Sequence, residues 1–392
     1  MDHIKQVSND VLRCILSGSV VILMLTPSLS MATNSLMFQA NLERTGFYDG
    51  VGPEEPPELE WKFDTGSPVI STPLVHDGVV YFVDFEGGVY AVNEEDGTVI
   101  WEKDLGGQPS FQITMNEEML LVGVRLSSED NKSYLIALDR ATGKESWRFE
   151  ARNQTGLGAP AVYGDTVFFT SVSGYLFSLD IATGEERWRF PIQGGQGQLI
   201  ISNNYLYLQD DSQTLYALSL DLGQEKWRIS SPPTNRSAFG TPSADNCCIF
   251  TIRNNDSSGS VAKINKHNGE LDAEFTIEFP SLSSISLADE VIFFGDEGEG
   301  YAGAHGYMNA MDTESGELIW RFETGGFVRG AASIAGDTVY FGSHDHYMYA
   351  VDRHTGEMKW RYETDAGIAS TPAIVDGRLY FGSIDGHVYV LE

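Results

Sequence analysis

The sequence predicts an all-β fold: an eight-bladed β-propeller of four-stranded antiparallel blades, closed by its N-terminal strand. Three observations predict it. A turn-and-tryptophan phrase recurs, eight second strands follow one another at similar spacing, and a spare tryptophan stands near the N-terminus. The phrase is clearest at Ala350-Val-Asp-Arg-His-Thr-Gly-Glu-Met-Lys-Trp360. Asp352 and Thr355 suit a tight turn because their short side chains bond nearby backbone N–H groups. Gly356 takes the left-handed conformation that closes it. The phrase returns from Ala91 to Trp101, Ala137 to Trp147, Ser178 to Trp188, Ala217 to Trp227 and Ala310 to Trp320. Repeats of roughly 40–50 residues, each with several short strands, indicate a propeller.

Each unit repeats one order of events. An inner strand of small and apolar residues (Ile70 to Val75) turns through His76-Asp77-Gly78 into an aromatic strand, Val79–Val83. A second turn leads to Val89–Val92, and the Asp/Thr/Gly turn and tryptophan strand close the unit. Apolar alternation punctuated by Gly, Asp and Asn is a hairpin signal. The second strands are Val79–Val83, Met119–Val122, Thr166–Phe169, Tyr205–Leu208, Cys248–Ile252, Val291–Phe294, Thr338–Phe341 and Arg378–Phe381.

The eighth unit reaches Val388–Glu392, its third strand, where the sequence stops. Leu59–Phe63, with the spare Trp61, supplies its fourth. Closing the ring this way removes an open sheet edge. Trp61, Trp101, Trp147, Trp188, Trp227, Trp320 and Trp360 are read as structural wedges between blades, with each indole N–H on a backbone carbonyl. The fifth unit departs: Ala273 stands where tryptophan is expected and Phe275 follows two residues later, which predicts a bulge or a slack blade.

Residues 1–32 read as a signal peptide. Lys5 and Arg13 precede or open a short apolar run, Cys14 to Thr26, and Ser30-Met-Ala32 has the small residues of a cleavage site. The run falls short of the roughly 20 apolar residues of a transmembrane helix. An uncleaved anchor stays open as the alternative. Residues 33–58 read as a lead segment lying on the surface, with Met37 and Phe38 docking on the propeller of residues 59–392. The expected location is the periplasm, the cell exterior or the envelope.

Net charge is −31, with 56 acidic against 25 basic residues. No basic stripe exists to meet a phosphate backbone, so nucleic acid is excluded as a partner. A well-solvated surface and adaptation to a salt-rich habitat both account for the acidity.

The form Ala137-Leu-Asp139-Arg-Ala-Thr142-Gly143-Lys-Glu-Ser-Trp147 resembles the repeat of pyrroloquinoline-quinone (PQQ) enzymes. The lead phrase Met37-Phe38…Asn41…Arg44-Thr45-Gly46 is similar to one that precedes the first blade in secreted proteins of that kind. The resemblance implies an eight-bladed fold over residues 59–392. It also implies two functions. One is a quinoprotein dehydrogenase using PQQ with calcium. The other is a cofactor-free scaffold of the BamB kind, acting in outer-membrane assembly. No cysteine is placed for lipid attachment after the apolar run, which weakens the second transfer.

Candidate chemistry is sparse. Some quinoprotein enzymes carry a disulfide between adjacent cysteines above the quinone, so Cys247-Cys248 fits that reading. Yet the pair falls at the turn between first and second strands, opposite the ligand mouth. The expectation is one buried and one partly exposed thiol. His344-Asp345-His346 lies in a polar turn and lacks a separated third ligand for zinc. The acidic insertion from Gly295 to His305 lacks the EF-hand order. Asn131, Asn153, Asn235 and Asn255 match the N-glycosylation pattern, which short sequences reach by chance. No catalytic set, metal or cofactor cradle is assigned. The remaining place for function is the channel mouth, where Gln112, Gln196, Gln198, Arg236, Phe327 and Arg329 converge. The leading expectation is a monomeric, non-enzymatic scaffold that binds a protein partner there.

Overall fold

A computed structural model describes residues 36–126, 132–151, 156–193, 198–231, 240–255, 258–298 and 305–392. These residues form eight four-stranded antiparallel units, one of them carrying a fifth, short strand. In the first blade, Leu74–His76 pairs with Val79–Val83, which pairs with Gly88–Asn93 and then with the outer strand Val99–Asp104. Asp77 and Gly78 both have positive φ, as the two-residue hairpin between the first strands requires. Neighbouring blades cover both faces of a blade's middle strands. Tyr81, Val83 and Ala91 pack with Ile113, Leu120 and Val122 of blade two. Val80, Phe82 and Val92 pack with Ala373, Tyr380 and Val388 of blade eight. Burial on both faces explains why such strands read as continuous apolar runs.

The ring closes as the sequence predicts. Leu59–Asp64 runs antiparallel to His387–Leu391, with Trp61 opposite Val390 and Phe63 opposite Val388. Glu58 and Glu392 exchange backbone hydrogen bonds of 2.9 and 3.1 Å at the junction.

Each tryptophan reaches across to the next blade. Trp61 Nε1 donates to the Glu94 carbonyl at 2.8 Å, Trp101 to Arg140 at 2.9 Å and Trp320 to Arg353 at 2.8 Å. Trp147, Trp188 and Trp227 make the same bond to Ile181, Leu220 and Lys266. The left-handed turn glycine lies beneath the ring: a Cβ on Gly143 would stand 2.6 Å from Trp101. Glycine is therefore needed twice there, for its φ of +67° and for its missing side chain.

Blade five is not slack. Its outer strand, Leu271–Ile277, pairs along its length with Gly259–Asn265, and its bulge falls where the other blades have theirs. Ala273 takes the register position of tryptophan, opposite Lys263, where the other blades have alanine, serine or, in blade eight, valine. Lys263 Nζ donates to the Thr313 carbonyl at 3.2 Å and pairs with Glu314. That carbonyl is the equivalent of the one an indole would bond. The Phe275 ring covers Gly316, as an indole covers the other glycines. A lysine and a phenylalanine together replace one tryptophan.

Part of the lead segment, residues 36–46, is not on the outer surface, whereas Asp49–Val51 and Glu54–Pro56 are exposed as the sequence predicts. That part runs along the inner edges of the innermost strands, within the ring. Five inner strands donate an N–H to it: Met115 to Leu36, Ile201 to Leu42, Ala244 to Glu43, Leu287 to Thr45 and Ile334 to Gly46. Phe47–Tyr48 continues as a parallel strand on Ser333–Ala335. Those N–H groups would otherwise be unpaired at a sheet edge. Arg44 is 1% exposed. It donates to the carbonyls of Phe38, Leu199 and Pro160 and meets the Phe38 ring at 5.8 Å. Among the described residues no carboxylate pairs with it, and burial lowers its pKa to about 10. Asn41 fixes the turn through Thr45, at 3.1 Å from its backbone N–H.

The same segment finishes the ring where the repeat runs out. Blade eight has no Asp/Thr/Gly turn to meet Trp360. Instead, Trp360 Nε1 donates to the Pro53 carbonyl at 2.8 Å, and Tyr340 Oη donates there at 3.1 Å.

Candidate functional site

In such blades the outer-to-inner loops and the second-to-third turns share one face, the mouth. The first hairpin and the glycine turn share the other. Of the sequence-predicted mouth residues, Gln196 and Arg236 lie outside the described residues. Gln198 opens the inner strand of blade four, opposite Gln209. Gln112 lies within the inner strand of blade two, where the register shifts between Pro109 and Ile113. Its Oε1 is buried without a hydrogen-bond partner.

Phe327 and Arg329 come together. The Arg329 guanidinium sits 4.8 Å above the Phe327 ring. It donates to Glu297 Oε1 at 2.8 and 2.6 Å. The Phe327 carbonyl accepts from the His344 N–H at 2.9 Å, and the two rings are 6.1 Å apart. His344 Nε2 is buried without a partner. Burial, then the nearby Arg329 charge, lowers its pKa. Sequence reasoning missed Glu297 and the placing of His344. Glu297 sits in the insertion singled out only for its acidity, and His344 in a turn read as merely polar.

Four described mouth aspartates are engaged by backbone N–H groups and tyrosines of their own or the preceding blade. Asp84 accepts three backbone N–H groups and Tyr90 Oη. Asp210, Asp345 and Asp385 accept from Tyr216, Tyr349 and Tyr389. Asp345 also accepts from the Gly325 N–H at 2.7 Å. An ionised carboxylate is acceptor-only, and these are spent on turn geometry.

Two clusters with metal-ligating chemistry occur among the described residues, both on the hairpin face: His76 with Asp77 and Glu117, and Asp245 with Cys247 and Cys248. His76 Nε2 lies 3.1 Å from Asp77 and 3.0 Å from Glu117, and Arg140 also reaches Asp77 at 3.3 Å. That network joins blades one and two. Cys247 is exposed and Cys248 buried. Burial, then the neighbouring thiol, raises the Cys248 pKa. Cys247 opens onto a cavity of about 600 Å³, lined also by Glu43, Phe47, Asp245, Asp289 and Glu290.

Comparison with known proteins agrees with this architecture. The family described as "Outer membrane protein assembly factor BamB" matches residues 54–229, 131–292 and 304–392. BamB of Kangiella koreensis is 33% identical over 82 residues, which is 21% of this chain and 19% of that protein. BamB of Legionella pneumophila is 29% identical over 94 residues, 24% of this chain and 22% of its own length. The matched stretch thus spans about a fifth of either curated relative. The crystal structure of BamB from Moraxella catarrhalis superposes with a TM-score of 0.69 at 17% identity, covering 86% of this chain and 99% of that one. Quinohemoprotein alcohol dehydrogenase from Comamonas testosteroni gives 0.76 at 18% identity, covering 92% and 80%. At such identities both structures speak for the fold alone. The family match extends over most of the repeats, and the chain therefore belongs to the BamB family of PQQ-like repeat propellers.

Proposed function

We propose that this protein is a non-enzymatic scaffold of the cell envelope that binds a protein partner at its channel mouth. On this reading residues 1–32 are an export signal, the mature chain is a monomer, and the role is in outer-membrane protein assembly. One observation carries it. Arg329 at the mouth is paired with Glu297, and beside that pair stand the Phe327 ring and His344, an aromatic pair 6.1 Å apart. Aromatic anchors ringed by satisfied polar groups suit protein recognition better than chemistry on a small molecule.

A quinone-dependent dehydrogenase is the rival, favoured by the propellers of similar fold. The described residues fit its cofactor poorly. PQQ is itself a carboxylate-bearing anion and needs calcium beside it. Cys247 faces a cavity already lined by Glu43, Asp245, Asp289 and Glu290, on the face away from the mouth, and Cys248 is buried. The described mouth aspartates have their oxygens engaged by turn N–H groups and tyrosines.

Two measurements test the choice. Titration with PQQ and calcium, followed by absorbance and dye-linked alcohol oxidation, should give no stoichiometric complex and no turnover. A photo-reactive residue at position 327, activated in cells of the source organism, should give a discrete adduct with an envelope protein. A saturable one-to-one complex with PQQ, lost in Cys247→Ser/Cys248→Ala, would overturn the reading.

A further inference from the structure

The outer strands differ around the ring at one repeated position, two residues before the aromatic wedge. Blades two, three and four carry Glu145, Glu186 and Glu225 there. Each is paired with an arginine three residues on: Arg148, Arg189 and Arg228. Blades five, six, seven, eight and one carry Leu271, Leu318, Met358, Leu59 and Val99. These are 42, 45, 50, 42 and 48% exposed. Ile319 and Ile100, the next residues in blades six and one, are 46 and 49% exposed. The five blades are consecutive, because blade eight closes onto blade one. An exposed apolar residue therefore recurs at this position on five consecutive blades, and an ion-paired glutamate holds it on the other three.

Position explains its significance. Outer strands are sheet edges, and edges are normally blunted with charge. Blades two to four follow that rule, whereas blades five to one break it at the same repeat position. Scattered surface leucines need no explanation, but an exposed aliphatic residue repeated at one position of five consecutive blades is not scattered.

The flanking residues state what kind of partner fits. In four of the five blades an exposed glutamate directly precedes the apolar residue: Glu270, Glu317, Glu357 and Glu58. Asp96 stands three residues before Val99 in the other. Aliphatic groups thus alternate with carboxylates. A second copy, at net charge −31, would bring carboxylates against carboxylates. An anionic lipid surface would do the same.

We propose that the rim of blades five to one is a second docking surface, for a basic protein segment that presents aliphatic side chains between lysines or arginines. It lies away from the mouth and starts at the hairpin face, so both surfaces can be engaged together. Apolar burial would supply affinity, and the carboxylates would supply orientation and association rate.

The test uses the purified chain and a short synthetic peptide of alternating leucine and lysine, followed by fluorescence anisotropy. The variant Leu271→Gln/Leu318→Gln/Met358→Gln leaves the charge unchanged, so it separates apolar docking from attraction to an acidic protein. We expect it to bind about ten-fold more weakly with an unchanged melting temperature. Arg329→Ala at the mouth should leave peptide binding as it was, so failure of the mouth reading and failure of this one are distinguishable. Equal binding by wild type and triple variant would overturn the proposal. So would wild-type dimers that dissociate in the variant on ultracentrifugation. Flotation with phosphatidylglycerol vesicles that depends on the same three residues would equally assign the rim to lipid and overturn it.

Discussion

The seam between blades five and six and the seam between blades seven and eight both lack a component of the repeat, but a different one. At the first, the tryptophan is missing and the glycine turn is present. At the second, the tryptophan is present and the turn is missing. In both, the same two contacts are rebuilt: a donor reaches a backbone carbonyl of the next element, and the exposed side of the seam is covered. Lys263 and Phe275 do this at the first seam, and the Pro53 carbonyl accepts from Trp360 at the second. The comparison teaches that the seam requires a satisfied carbonyl and a filled space, and that tryptophan is the usual way to provide both.

The most damaging way to break the comparison is to remove the closing strand. Deleting Leu59–Asp64 should abolish native near-ultraviolet circular dichroism and send the protein to aggregates on size exclusion, because two blades lose their seam. A monomer with unchanged melting would show that closure contributes little. Next comes Trp360→Ala. It should cost about 3–5 kcal/mol by urea unfolding, as for other large aromatic truncations in cores.

Lys263→Met keeps the stem and removes the donor. It should cost about 1.5–3 kcal/mol, the range for hydrogen bonds involving a charged group. The pH dependence has a definite sign. Burial opposes the Lys263 charge, but Glu314 outweighs it and raises the pKa above the ordinary 10.5. A raised basic group stabilises fully below its unfolded pKa and loses this as pH climbs through the folded value. The gap in melting temperature between wild type and Lys263→Met should therefore persist at neutral pH and close in strong alkali. If tryptophan were itself required, Lys263→Ala/Ala273→Trp would stabilise well beyond wild type; we expect it only to recover the loss. The smallest effect belongs to Pro53→Ala, below about 1 kcal/mol, because the accepting carbonyl remains.

The sequence was most informative where the repeat was intact. The turn, the wedge and the strand count are local patterns, and they were enough for eight blades and the partner of Leu59–Asp64. The outer strand of blade five alone predicts a bulge or a slack blade. Its compensation sits at Lys263, the cross-strand partner of Ala273. The lead phrase was visible as specific, yet its path was not. Gln39 donates to the Ile285 carbonyl 246 residues away, and no local pattern encodes such a contact. At the mouth, Phe327 and Arg329 were legible because one loop holds both. Glu297 and His344 reach them from two other turns of the fold.

The lead segment also orders events in time. Leu36 to Gly46 needs inner strands from Met115 to Ile334, and Leu59–Asp64 needs His387–Leu391. A growing chain that has made seven blades has just completed the last inner strand that Leu36 to Gly46 pairs with, and it still holds Leu59–Asp64 without a partner. Closure then depends on contacts of the longest sequence separation, the kind that form slowly. The buried Arg44 sharpens this dependence, because its carbonyl acceptors come from blades three and four as well as from its own segment. Assembly of the ring is consequently a late and cooperative step, and a protease that cuts within residues 36–53 should leave intact blades that drift apart only after the seal is lost.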